Sequence, residues 1–213
     1  MFSNVLTNSQ LGVIKKIHSS LPRDAYMAGG TALALQLGHR TSLDFDFYTK
    51  EHFETERILA GIQSNFAQVK VENVAKDTLI LGLDDVSFSL FYYPYSLIKP
   101  LVKFEGIYIA SIEDIAAMKM IAISMRGKRR DFIDAFYLLK RFSLDEIIRL
   151  TLKKYPNYQP LVILKGLIFF ADAEDEEIGR GIKIFDKDFS WKGAKEKILE
   201  EVKKYQLLMI KGS

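Results

Sequence analysis

The 213-residue sequence contains no cysteine, so it excludes disulfide bonds, thiolate metal sites and cysteine nucleophiles. It has no internal repeat and no low-complexity tract. The sequence also lacks a large excess of either charge: 30 Lys and Arg nearly balance 27 Asp and Glu, which leaves a formal net charge of +3. This charge is too small to indicate nucleic-acid binding by itself. Hydrophobic residues make up 48%, which is enough for a substantial core and argues against disorder.

The sequence also lacks a long hydrophobic run. The longest apolar segment, residues 160–173, is interrupted by Lys165 and Gly166 and is shorter than a bilayer span. We expect it to form a buried helix. Residues 1–10 lack the basic and then apolar pattern of a secretory signal. We therefore expect a cytoplasmic protein without membrane contact.

The two halves of the chain differ in their residue pattern. Residues 24–110 alternate β-branched and aromatic residues with turn signals, whereas the later residues have helical periodicity and few glycines. The pattern predicts an α+β protein, in which a small mixed sheet with helices (residues 1–110) precedes a helical domain (residues 111–213) that completes an active-site cleft.

Turn residues and hydrophobic periods set the expected elements. Strands are predicted at 25–28, 43–48, 69–74, 78–83, 86–92 and 106–110, with Asp84 and Asp85 turning a hairpin. Helices are predicted at 11–20, at 31–37 with Gly38 as a left-handed cap, at 52–66, from 111 to Gly127, at 131–141, after a Ser143/Glu146 capping box, and near 160–172 and 192–208.

The most informative stretch is AGGTALALQLGHRTSLDFDFYT, residues 28–49. Gly29-Gly30-Thr31 joins a predicted strand to a predicted helix, where free backbone N–H groups and the helix dipole favour a phosphate, and the Thr31 hydroxyl can add a hydrogen bond. Asp44 and Asp46 lie two residues apart on a strand, so both carboxylates face one way and can bind Mg²⁺ or Mn²⁺. Each motif alone is more often a plain turn or a solvated strand, but their order and spacing favour a nucleoside triphosphate site.

This stretch resembles the nucleotidyltransferase signature of the DNA polymerase β superfamily, and within it GGTALALQLGHRTSLDFDFY is similar to the AbiEii/AbiGii toxin family. A later stretch, DIAAMKMIAISMRGKRRDFIDAFYLL, resembles that family's second conserved block. The resemblance implies a polymerase-β-like nucleotidyltransferase core and the toxin of a type IV toxin–antitoxin or abortive-infection system. It also implies an antitoxin partner and an acceptor that is tRNA or a protein.

Lys119 lies in an otherwise apolar helical stripe, and Arg126 lies on the same face, seven residues later. A snorkelling lysine is the alternative to a cation that binds triphosphate. The resemblance implies the triphosphate role for Lys119, and it favours Asp131 and Asp134 as site residues that orient Lys119 or Arg126. The alternative for the carboxylates is a helix cap with an Arg126–Asp134 ion pair.

The basic run RGKRR, residues 126–130, is interpreted either as a solvated turn or as a rim that binds nucleotide or RNA phosphates. Arg40 is expected to contact the substrate, although it can instead pair with Asp44. For His39, a substrate contact and a purely structural role are both open. His18 and His52 have no partner at an informative spacing in the sequence and are expected to be surface residues.

One feature departs from the polymerase-β pattern, in which many members have a third carboxylate on a neighbouring strand. The matching face of the strand at 86–92 has Ser87 and Ser89, and serine is a poor metal ligand and a poor base. Glu72, Asp84 or Asp85 is a possible substitute.

The leading hypothesis is metal-dependent transfer of a nucleotide from an NTP, with Asp44 and Asp46 on the metal. A non-catalytic module that binds nucleotide or antitoxin is the alternative, as is an antibiotic-type enzyme with a small-molecule acceptor.

Overall fold

The computed structural model describes residues 1–174 and 182–212. The chain divides into two compact units, Met1–Ser111 and Ile112–Ser213. Each unit has its own secondary-structure class.

The first unit contains one mixed sheet and helices. Its helices are α1 (Asn8–Ile17), α2 (Gly29–Leu37) and α3 (Thr55–Asn65), preceded by a 3₁₀ turn at Ser3–Val5. Its strands are β1 (Tyr26–Ala28), β2 (Asp44–Thr49), β3 (Val69–Ala75), β4 (Thr78–Leu83), β5 (Val86–Tyr92), β6 (Val102–Phe104) and β7 (Ile107–Ile109).

Within the described residues the strands form a seven-stranded sheet in the order β3-β4-β5-β2-β1-β7-β6. β2 is parallel to β5 and β1 is parallel to β7, whereas the remaining pairs are antiparallel. Helices α1 and α3 pack on β3, β4 and β5. The mixed sheet with helices confirms the predicted α+β class.

Several elements follow the sequence pattern closely. β4 and β5 form the predicted hairpin, and Asp84 adopts a φ of 51° in its turn. Gly38 closes α2 with a φ of 66°, the left-handed conformation expected of a glycine C-cap. These features depend on neighbours in sequence, which is why the sequence predicts them.

Two predictions need correction. α3 begins at Thr55, not at residue 52, because carboxylates hold the backbone before it: Asp24 accepts from the N–H groups of Lys50 and Glu51, and Asp77 accepts from that of Phe53. β6 was not predicted; its three residues form an edge hairpin with β7. So short a strand has too little pattern to be recognised.

The second unit is helical. Its elements are α4 (Ile112–Arg126), α5 (Arg129–Leu139), α6 (Leu144–Lys154), α7 (Pro160–Ile168), α8 (Ala171–Glu174) and α9 (Trp191–Gly212). The Ser143/Glu146 capping box is confirmed, since each residue accepts a hydrogen bond from the other's backbone N–H. Asp114 and Lys154, both fully buried, join α4 to α6 through a 2.8 Å ion pair.

The apolar segment at 160–173 is buried on one face only. Ile163 and Leu167 are fully buried in α7, whereas Leu161 and Ile168 are about half exposed. The expectation of a buried helix is therefore correct for one face and wrong for the other. In the part of the chain that the structure describes, no helix has the length and apolar character needed to cross a bilayer.

Candidate active site

The paired aspartates lie on one face of β2. Phe45 and Phe47 point into the core with no exposed area, while Asp44 and Asp46 are half-buried on the opposite face. This alternation follows from the two-residue repeat of a strand. Both carboxylates are therefore presented together on the open face of the sheet, as the sequence predicts.

The glycine turn lies directly against this pair. β1 pairs with β2 so that Ala28 is opposite Asp46, and α2 begins at the next residue, Gly29. Gly29 has a φ of 74°, and a Cβ there would lie 2.7 Å from Asp46 Oδ2. Only glycine accommodates both the left-handed backbone and this close approach. The fold thus brings a carboxylate and the beginning of a helix together.

Arg40 packs against the other glycine of the turn. Its side chain is 1% exposed, and its Nη1 donates to the carbonyl of Thr41 at 2.9 Å. A Cβ on Gly30 would lie 2.6 Å from Arg40 Nη2. The structure therefore places the guanidinium beside the turn, inside the fold. His39 is also buried, at 4% exposure.

Thr31 has a structural bond. It is 1% exposed, and its hydroxyl donates to the backbone carbonyl of Asp44. This hydrogen bond ties the first turn of α2 to the first residue of β2. Because the hydroxyl hydrogen already forms this bond, the backbone N–H is the group of Thr31 that could donate to a phosphate.

The neighbouring strand carries serines at the positions beside the pair. In the parallel register of β2 and β5, Asp44 is opposite Ser87 and Asp46 is opposite Ser89. The predicted departure from a three-carboxylate site is confirmed at these positions. Glu72 cannot substitute, because β4 and β5 lie between its strand and β2. Within residues 1–174 and 182–212, no group of three or more His, Cys, Asp or Glu side chains is arranged to hold a metal.

In the second unit, Lys119 forms a buried cluster with both predicted aspartates. Its Nζ lies 2.8 Å from Asp131 Oδ1 and 2.7 Å from Asp134 Oδ2, and the three side chains are 8%, 1% and 0% exposed. We call these three residues the lysine cluster. The two carboxylates hold the ammonium in one position, so they orient Lys119 as one interpretation expected.

Arg126 lies at the edge of the lysine cluster. Its side chain is 56% exposed, and its Nε is 3.9 Å from Asp131 Oδ2, an oxygen that is buried without a hydrogen-bond partner. The alternative Arg126–Asp134 pair is wrong, because Asp134 binds Lys119 and Arg126 is nearest Asp131. The exposed guanidinium therefore adds positive charge beside the carboxylate of Asp131.

The basic run does not act as one surface. Arg129 donates from Nε to the carbonyl of Ala173 at 2.8 Å and from Nη2 to that of Glu174, at the end of α8. Its guanidinium also stacks over Trp191, 5.0 Å from the ring centroid. The interpretation of the whole run as a phosphate-binding rim is therefore wrong for Arg129, which fastens α5 to α8.

His52 is a surface residue, as expected, with its side chain 64% exposed, but it has a partner that no spacing in the sequence indicated. Its Nδ1 lies 2.7 Å from Asp77 Oδ2, and its ring stacks on Tyr92 at 4.0 Å. Burial raises the pKa of Asp77, but the hydrogen bonds from His52 and the Phe53 N–H outweigh it and hold the pKa below its usual value. The partners are 25 residues apart in sequence. No local spacing could have revealed them.

Aromatic rings follow the aspartates on the same face, and sequence reasoning missed them. Tyr48 is opposite Phe91 in the β2–β5 register, one same-face position beyond Asp46. The ring centroid of Tyr48 lies 6.0 Å from that of Phe91 and 5.0 Å from that of Tyr93, which in turn lies 5.0 Å from Tyr95. We call these four residues the aromatic row. The alternation in FYYPY was the available signal.

Comparison with known proteins identifies the family. The profile of the nucleotidyl transferase AbiEii toxin family, of type IV toxin–antitoxin systems, matches residues 15–81 and 85–204. The chain belongs to this family. An uncharacterized protein of Aquifex aeolicus (strain VF5) is 37% identical over 207 residues, which cover 94% of this chain and 97% of that protein. The early resemblance is thereby confirmed.

Solved structures show the same fold. MenT4, a nucleotidyltransferase toxin of Mycobacterium tuberculosis H37Rv, superposes with a TM-score of 0.61 at 14% identity, covering 92% of this chain and 82% of that one. JHP933 from Helicobacter pylori superposes with a TM-score of 0.56 at 16% identity, covering 100% and 96%. These structures show the fold alone, and it is membership of the AbiEii family that supports nucleotidyl transfer, an NTP substrate and a cognate antitoxin.

Proposed function

We propose that this AbiEii-family protein transfers a nucleotide from an NTP to an acceptor, with a divalent metal held by Asp44 and Asp46. One observation carries the proposal: Asp46 lies against Gly29 at the first residue of α2. A carboxylate suited to a metal ion and the N-terminus of a helix, which favours an anion, are therefore side by side, and a metal–triphosphate complex requires both.

The donor set fits Mg²⁺, with Mn²⁺ as the alternative. Two half-buried carboxylates face the same way, and Mg²⁺ in proteins commonly takes one or two carboxylates together with substrate phosphates. When bound, the ion neutralises charge on the transferring phosphoryl group. The positions beside the pair on β5 are serines, so the remaining ligands of a bound ion would have to come from substrate phosphates and water.

The chain's own groups hold the triphosphate. We assign phosphate binding to the backbone N–H groups of Gly29, Gly30 and Thr31, where the helix dipole favours an anion. Arg40, buried beside Gly30, adds positive charge behind the turn. These groups are fixed before substrate arrives, so they stabilise negative charge without reorganising.

The reaction itself is a displacement at phosphorus. An acceptor oxygen attacks the α-phosphorus, the bond from that phosphorus to the bridging oxygen breaks, and pyrophosphate leaves. The acceptor proton passes to solvent, because Ser87 and Ser89 beside the pair are poor bases.

The second unit contributes charge. We assign Arg126, whose guanidinium is 56% exposed, to neutralise phosphate charge. Lys119 keeps the catalytic role that the family resemblance implies. Asp131 and Asp134 then act as positioning residues, because both hold the Lys119 ammonium at hydrogen-bond distance.

The acceptor and the biological role come from the family. We propose a macromolecular acceptor, tRNA or a protein, and the role of a toxin checked by its antitoxin. A small-molecule acceptor is the second candidate, since the net charge of +3 does not require a nucleic-acid substrate.

The test uses NTPs labelled at the α-phosphorus, because the transferred nucleotide keeps that phosphorus. Each NTP is incubated with Mg²⁺ and, separately, with tRNA, with cell protein and with small hydroxyl compounds. We expect label in one arm only, and none with EDTA. Asp46→Asn should reduce transfer at least about 100-fold, whereas Glu72→Gln, on the exposed edge strand β3, should leave it unchanged.

Equal transfer by wild type and Asp46→Asn would contradict the proposed site. Triphosphate binding without transfer to any acceptor would instead favour the non-catalytic module, an outcome that the serines of β5 make worth testing. Label on a small hydroxyl compound alone would favour the antibiotic-type enzyme.

A further inference from the structure

The aromatic row continues the face on which the proposed metal ligands lie. Tyr48 follows Asp46 by two residues on β2, and Phe91 follows Ser89 by two on β5. Same-face neighbours on a strand are about 6.5–7 Å apart. The first ring of the row is therefore one step along the strand from the aspartates, on the side away from Gly29, which lies beyond the Ala28–Asp46 pair.

The row differs from the aromatic core of the same strands. Phe47 and Phe88, on the opposite face, have ring centroids 5.6 Å apart and no exposed area. Tyr48, Phe91 and Tyr93 are only partly buried, and Tyr95 is 42% exposed. Tyr48 also packs on the buried Tyr26 of β1, with ring centroids 6.1 Å apart, so the core accounts for one side of Tyr48. It does not account for the exposed ring of Tyr95 at the other end of the row.

We propose that the aromatic row stacks an unpaired nucleobase, a role that rests on the proposed nucleotide-transfer function. A triphosphate bound at Gly29 and Gly30 must extend its nucleoside away from the turn. The acceptor's terminal nucleotide must also approach the aspartates. Either base reaches the same rings, because the row begins at the next same-face position after Asp46.

The chemistry of the row fits a base better than a phosphate or a metal. Its four side chains have no cation and no carboxylate, but each has a π-face, and bases stack on such faces with little sequence preference. Three of the four are tyrosines, whose hydroxyls allow a ring to remain partly in water while its face contacts an apolar surface. The row therefore holds any base in place, and other contacts choose among bases.

The experiment separates the base from the phosphates. Equilibrium dialysis with Mg²⁺ measures the affinity of the full chain for each of ATP, GTP, CTP and UTP, for inorganic tripolyphosphate, and for short single-stranded oligoribonucleotides. The variants are Tyr48→Leu and Tyr95→Leu, which keep an apolar side chain and remove the ring. Tyr92→Leu is the matched control, since Tyr92 ends the same strand and stacks on His52.

We expect ring removal to weaken binding of nucleotide or oligonucleotide by roughly tenfold for Tyr48→Leu and less for Tyr95→Leu. Tripolyphosphate binding should not change in either variant. A loss confined to the triphosphates assigns the row to the incoming base, and a loss confined to the oligonucleotide assigns it to the acceptor. If Tyr48→Leu melts at a much lower temperature than wild type, its lost binding could reflect unfolding. The Tyr95→Leu variant then tests the proposal, because Tyr95 is exposed and its replacement should not destabilise the fold.

Unchanged affinities for all bases in both folded variants would overturn the proposal. So would a wild type that binds tripolyphosphate as tightly as every NTP and binds no oligonucleotide. Failure of the transfer function is recognised separately: wild type then shows no label transfer, while the dialysis still reports whether the rings bind a base.

Discussion

The two groups of charged residues, one in each unit, are built in opposite ways. Asp44 and Asp46 are half-buried like charges on an open strand face, whereas the lysine cluster is buried and has its cation within hydrogen-bond distance of both acids. Carboxylates on a partly exposed strand face are accessible to an added metal ion, whereas a buried ion-pair cluster is costly to disrupt. The sheet pair is thus suited to bind, and the lysine cluster is suited to hold a side chain still.

The largest expected effect comes from breaking the lysine cluster. Lys119→Met leaves two carboxylates buried without their cation, and loss of one partner of a buried pair costs about 3–5 kcal/mol. We expect the melting temperature, followed by circular dichroism, to fall by roughly 10 °C. Replacing Asp131 and Asp134 by Asn as well should restore part of the loss. No recovery would contradict the charge argument.

The next effect comes from binding an Mg²⁺–NTP complex at Asp44 and Asp46. At about 100 times its Kd, an Mg²⁺–NTP complex should stabilise wild type by about 2.7 kcal/mol. The thermal shift should vanish in the Asp44→Asn/Asp46→Asn double variant, because the carboxylate charges are gone. An equal shift in both proteins would show that the ligand binds elsewhere. Glu72→Gln is the control.

A smaller effect tests the contact between the turn and the pair. Gly29→Ala should cost about 1–3 kcal/mol, because alanine is strained at a φ of 74° and its Cβ would lie 2.7 Å from Asp46 Oδ2. Transfer activity should fall with it. Gly12→Ala is the matched control, since nothing lies within 4 Å of a Cβ there, and in α1 it should stabilise by about 0.5–1 kcal/mol. Equal unfolding midpoints for the two variants would refute this account.

The smallest expected effect is on how the stability of the protein depends on pH under acidic conditions. Asp77 has its pKa held below the usual value of an aspartate. Its contribution to stability is therefore present above that usual pKa and is lost as the pH falls through the lower pKa of the folded state. Asp77→Asn should therefore flatten the dependence of the unfolding midpoint on pH below about 4. A pH profile identical to wild type would show that the His52–Asp77 contact does not contribute.

The sequence predicted the parts of the site whose geometry is local. The alternation of Asp44 and Asp46 with phenylalanines follows from strand geometry, and Gly29 follows from the need for a tight turn. Arg129 was misread, and the contact of His52 was missed, because their partners, at Glu174 and Asp77, are distant in sequence. Lys119 was recognised as special, but its bonds to Asp131 and Asp134 depend on how α4 and α5 pack.

By itself, the sequence determined the type and order of most elements, the face of the aspartates and the family of this protein. Tertiary structure alone decided that Ser87 and Ser89 are in register with the pair, that Gly29 lies against Asp46, and that the aromatic row continues the same face. The physical reason is the separation along the sequence of the residues that interact. Strand alternation and helix caps are fixed by residues a few positions apart. Strand register and ion pairing are fixed only when distant segments pack.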